Sequence, residues 1–133
     1  MRSILPFLFV AVISGCTPSN PAISFVAEDT SSLVVFSDQI KSTKLLSNED
    51  QYTNDTQYVI SIKLDDEAAQ EFGSFSQDRV GETIDVRVCG VTVVSPYLHS
   101  AIYGGMFQIT APDQDEAKRI RSILLGKADC PQN

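Results

Sequence analysis

Tyr58-Val59-Ile60-Ser61-Ile62-Lys63-Leu64 puts Tyr58, Ile60, Ile62 and Leu64 at every second position, the period of a strand with one buried face. Asp65-Asp66-Glu67 follows at once. Asp65 suits the N-cap of a helix, and the next two acids suit its positive end. Ala68, Phe72 and Phe75 then recur at i, i+4 and i+7, which lays one apolar stripe along that helix and predicts a core role for it.

Downstream, Gly81 closes this strand–helix unit, and Thr83 to Cys89 alternates again with Ile84, Val86 and Val88 inward. Gly90 permits a tight turn into Val91 to Pro96. Pro96 has no amide to donate, so pairing stops there or the strand lies at a sheet edge. Tyr97 to Ser100 continues extended, Ile102-Tyr103-Gly104-Gly105 interrupts, and Met106 to Thr110 resumes as a strand. Asp113 with Glu116 three residues on forms a capping-box-like pair. Behind it, Ala117, Ile120, Ile123 and Leu124 make a second helical stripe, ended by Gly126. The expected class is α+β: a mostly antiparallel sheet of about four to five strands with two amphipathic helices on one face.

Upstream, Ile23 to Val26 and Leu33 to Phe36 predict two short strands. Ser37 to Gln57 is polar apart from Leu45-Leu46, and it predicts an irregular loop with one turn of helix. Residues 22–57 thus hold short strands and a polar loop ahead of an α+β domain over 58–131.

Residues 1–15 have the build of an export signal: Arg2, then the apolar stretch Ile4 to Ile13, too short for the ~20 residues of a membrane-spanning helix. Ile13-Ser14-Gly15-Cys16 resembles the bacterial lipobox. That resemblance implies cleavage after Gly15 and lipidation of Cys16, with residues 16–21 as the lipidated cysteine and its tether. Several acyl chains hold a protein to a bilayer where one does so only marginally. Thr17 follows the Cys where an Asp would suggest inner-membrane retention, so the expected address is the outer membrane, facing the periplasm.

The run Val80-Gly81-Glu82-Thr83-Ile84, followed by Val88-Cys89-Gly90-Val91-Thr92-Val93-Val94-Ser95-Pro96, resembles the head subdomain of the first periplasmic domain of SecD/SecDF. The likeness continues through Ile102-Tyr103-Gly104-Gly105, Gln108-Ile109-Thr110, Glu116-Ala117 and Leu124-Leu125-Gly126, and covers about residues 59–131. Cys89 stands where that family usually places an acidic or amide residue before the glycine. The resemblance implies a fold and contact with polypeptides in the periplasm; it does not imply translocase activity.

Chemistry is sparse. The chain has 17 acidic and 10 basic side chains and a net charge of −7, which repels nucleic-acid phosphates. His99 is the sole histidine, so a multi-histidine metal site is excluded, and no metal or other cofactor is expected. Pairing His99 with Ser95 or Ser100 gives no convincing catalytic set, and the acids at Asp65–Glu67 and Asp113–Glu116 are explained by helix capping. With Cys16 lipidated, Cys89 and Cys130 remain as an even pair in an oxidising compartment. A structural disulfide is the first reading and two free thiols the second.

What is left is surface. Tyr97, His99, Ile102 and Tyr103 cluster in a Pro- and Gly-bounded segment, a candidate partner contact weighed against simple packing over the sheet end. The expected function is a membrane-anchored, non-catalytic lipoprotein that binds extended polypeptide or another envelope protein. The alternative is an inhibitor or protective lipoprotein directed at one envelope hydrolase.

Overall fold

The computed structural model describes residues 21–49 and 51–131, so residues 1–20, with the expected signal, Cys16 and most of the tether, lie outside it. Among the described residues the chain runs β1 (Ile23–Val26), β2 (Ser32–Val35), a 3-10 turn (Ser37–Gln39), β3 (Ile40–Glu49), β4 (Thr56–Leu64), α1 (Asp66–Gln77), β5 (Asp85–Val88), β6 (Val91–Val94), β7 (Met106–Ala111) and α2 (Gln114–Leu124). The class is α+β with antiparallel pairing throughout and two helices. The strands divide into a four-stranded sheet, β2-β1-β5-β6, and a three-stranded sheet, β3-β4-β7. Among these residues no helix is long and apolar enough to cross a membrane.

The alternation of β4 does what its period requires. Ile60, Ile62 and Leu64 are buried, and Lys63 between them is exposed. Both sheets and both helices close on one core, centred on three rings from three layers. Phe25 of β1 lies 4.6 Å from Phe72 of α1 and 5.2 Å from Phe107 of β7, centroid to centroid. Tilted and edge-on contacts at such spacing suit the ring quadrupoles and add to the burial itself.

The helix starts follow the sequence. Asp65 accepts the Ala68 amide at 2.8 Å, and Asp113 accepts the Glu116 amide at 2.8 Å. The Glu116 carboxylate does not return to the Asp113 amide, as a full capping box would require. It takes the Arg119 guanidinium through two hydrogen bonds instead, which holds its carboxyl below the usual carboxylate range. At the other end of the core, Asp29 accepts from the Ser31 hydroxyl and amide, and its pKa is lowered chiefly by that hydroxyl. Ser31 also accepts from Arg79, whose guanidinium stacks 4.0 Å from the Phe75 ring centroid. This ties the end of α1 to the β1–β2 turn.

Two expectations are corrected. Ser37 to Gln57 is not an irregular loop: it holds the 3-10 turn and most of a long hairpin, in which β3 pairs with β4 from Ile40↔Leu64 to Glu49↔Thr56. Only one flank and one face of β3 meet protein, so few of its positions need apolar residues and the period-2 signal is thin. Residues 22–57 are also continuous with the core, since Ile23, Phe25, Val35 and Ile40 are buried in it.

Cys89 and Cys130 form a disulfide, with Cα atoms 5.4 Å apart. Cys89 (φ 54°) and Gly90 (φ 74°) both take the left-handed conformation, the requirement of the two-residue turn that best matches strand twist. The first of these positions favours Asn or Asp, which tolerate that conformation. Here a cysteine accepts the strain, and its bond links the β5–β6 turn to the chain beyond α2.

Candidate functional site

The candidate residues lie on the connection from β6 to β7, and the structure places them in two pairs. The first pair flanks Leu98. Pairing with the β5 side continues past Pro96: the Ile84 amide donates to the Pro96 carbonyl at 2.9 Å and the Leu98 amide to the Glu82 carbonyl at 2.9 Å. Pro96 is therefore an edge residue rather than the end of the pairing. Leu98 points into the core, so Tyr97 and His99 on either side of it point outward. Their rings meet edge-on, 4.7 Å between centroids. The Ser95 hydroxyl donates to Asp85 at 2.8 Å rather than pairing with His99.

The second pair is fastened to α1. The Ile102 amide donates to Oγ of the fully buried Ser76 at 2.9 Å, and that hydroxyl donates on to the Gly73 carbonyl at 3.0 Å. The Tyr103 ring lies over Gly73, and its hydroxyl donates to Oε1 of Gln77 at 3.0 Å. Close passage continues at Gly105 (φ 67°), where a Cβ would fall 2.6 Å from that of Ala69. Glycine is needed there both for the backbone conformation and for the space. Ile102 is half-buried, while Tyr97 is 53% and Tyr103 67% exposed.

Between these two pairs the loop roofs an apolar cavity of about 70 Å³, lined among others by Phe72, Phe75, Ile84, Pro96, Leu98 and Ile102. Such a lining offers a water few hydrogen-bond partners, so the space suits aliphatic groups. Chemically the site is an apolar recess able to take an apolar side chain, and the exposed Tyr97 and Tyr103 rings lie on the same loop without lining it. Among the described residues, no group of three or more His, Cys, Asp or Glu is placed to hold a metal ion.

Sequence reasoning missed the supports, Gly73, Ser76 and Gln77. Ser76 had a signal: it falls at i+4 from Phe72 on the apolar stripe of α1, where a buried hydroxyl must find a partner.

Comparison with known proteins agrees with this fold. The family model described as "SecDF, P1 head subdomain" matches residues 22–128. A solved structure of SecDF, described as a membrane component that enhances protein export, superposes with a TM-score of 0.57 at 21% identity. A second, of SecDF in a super-membrane-facing form, gives 0.58 at 20% identity. Each likeness covers 70% of this chain but only 40% and 12%, respectively, of the SecDF chains. No curated protein matches the sequence. Since the family match takes in both sheets, both helices and the loop with its cavity, the chain belongs to the SecDF P1 head subdomain family.

Proposed function

We propose that this domain is a non-catalytic, export-related polypeptide-binding module of the bacterial periplasm, held at the membrane through a lipid on Cys16. The observation that carries the binding role is the exposure of the Tyr97 and Tyr103 rings on a loop that roofs an apolar cavity. Aromatic side chains with one polar end are favoured at contact surfaces, because they bury much area and still hydrogen-bond. An extended client would lay an apolar side chain toward Ile102 and the cavity and bury area against the exposed tyrosine rings of the same loop. A recess of only about 70 Å³ favours weak binding of many sequences over tight binding of one partner. The name of the solved relatives, a component that enhances protein export, supports the same direction.

The test is binding of an unfolded, fluorescently labelled polypeptide to the mature protein in detergent. Wild type should bind at micromolar concentrations or weaker, and Tyr97→Ala with Tyr103→Ala should bind several-fold less. Unchanged binding in that double variant would remove the loop from the site. For the anchor, metabolic labelling with an alkyne fatty acid should mark wild type and not Cys16→Ser.

A further inference from the structure

The longest strand, β3 over ten residues, is an edge: β4 occupies one flank, and no strand pairs with the other among the described residues. Every second residue of such a flank turns its N–H and C=O outward, a template for another strand. Natural edges are blunted by lysines and bulges. β3 carries both at its start, with Lys41, Lys44 and a register shift between Ile40 and Ser42. From Leu45 to Asn48 it is regular, uncharged and unprotected.

The charge beside this flank is opposite to that of the molecule. Arg121 of α2 donates to the Thr43 hydroxyl at 3.1 Å, which lays that side of the helix along β3. Lys118, one turn earlier, shares the same side. Lys41, Lys44, Lys118 and Arg121 together are four of the ten Lys and Arg side chains in a chain of net charge −7, and Glu49 is the sole acid on the strand. A second copy would bring an equally basic edge against this one, so the charge disfavours self-pairing.

We propose that β3 binds an acidic, extended polypeptide segment, which adds to the three-stranded sheet as a fourth strand along Thr43–Asn48. The proposal rests on the polypeptide-binding reading above and assigns it a second surface, selective by charge. Backbone hydrogen bonds to the edge would supply affinity, with acids beside Lys44 on one face and beside Lys118 and Arg121 on the other.

The test uses the mature protein in detergent and three labelled ten-residue peptides of equal β-propensity, one acidic, one basic and one uncharged, followed by fluorescence anisotropy. The acidic peptide should bind about tenfold more tightly than the basic one at low salt, with the preference shrinking at high salt. Lys44→Glu with Lys118→Glu, both exposed sites, should abolish or reverse that preference, while Tyr97→Ala with Tyr103→Ala should preserve it. Equal binding of the three peptides, or a preference untouched by the lysine changes, overturns the edge assignment and leaves the polypeptide reading standing. Failure of every peptide and of the unfolded polypeptide overturns both. A concentration-dependent dimer lost on the lysine changes gives the edge to a second copy and also overturns the assignment.

Discussion

The ring of Tyr103 lies so close over Gly73 that a Cβ built on the glycine would stand 3.0 Å from Cδ1 of the tyrosine. This contact, with the hydroxyl's bond to Gln77, fixes an exposed aromatic side chain against a helix. Gly73→Ala should therefore separate stability from binding. A helix-interior alanine gains about 1 kcal/mol over glycine, and the exposed ring can give way by the few tenths of an ångström required. Urea unfolding should show unchanged or slightly raised stability, while polypeptide binding falls several-fold as the ring is displaced.

Ser76 carries the other fastening of the loop. Ser76→Ala leaves the Ile102 amide without its partner, at a cost of about 1–3 kcal/mol. Chemical denaturation should register that loss. Amide hydrogen exchange should show faster exchange at Ile102, with little change at the Cys89–Gly90 turn.

The disulfide closes a loop of 41 residues, and the chain-entropy estimate for such a loop is about 4 kcal/mol as an upper figure. Cys89→Ser with Cys130→Ser should lose about 2–4 kcal/mol in denaturant and lose all response to reductant. Cys89→Asn with Cys130→Ser should recover part of it, because asparagine suits the left-handed conformation at position 89. Equal stability of the two double variants would show that turn strain at position 89 is not limiting.

Asp29 and Glu116 both have pKa values held below the usual carboxylate range, by the hydroxyl of Ser31 and the guanidinium of Arg119 respectively. For carboxyls depressed in the folded state, the stabilisation is complete above the unfolded pKa and is lost as pH falls through the folded one. Stability should thus decline below the ordinary carboxylate range. Ser31→Ala and Glu116→Gln should each flatten that decline in thermal melts taken at falling pH. Asp29 is exposed and Glu116 only half-buried, so solvent screening keeps each effect small.

The parts of the fold that could be read from sequence are those where burial is one-sided and dense. β4, α1 and α2 each repeat an apolar residue at their own period, and Asp65 and Asp113 mark the helix starts by chemistry that needs no tertiary context. β3 was hidden because an edge strand with one solvated face buries only Ile40 and Thr43, and Thr43 is polar. The division into two sheets was hidden for a related reason: pairing partners such as β1 and β5 are some sixty residues apart, and alternation names a strand's faces but not its neighbours. Of the site, the exposed aromatic residues were legible from the Pro- and Gly-bounded segment that carries them. Their grouping into Tyr97 with His99, and Ile102 with Tyr103, depends on Leu98 turning inward and on Ser76, neither of which the local pattern specifies.

In-cell photo-crosslinking from positions 97, 99 and 103 of the membrane-bound protein, with mass spectrometry of the trapped material, bears most directly on polypeptide binding. Binding through the Tyr97–Tyr103 loop predicts adducts with many unrelated exported chains, strongest at positions 97 and 103, where the exposed rings stand. A single defined envelope protein captured at all three positions would contradict it and favour a dedicated inhibitor.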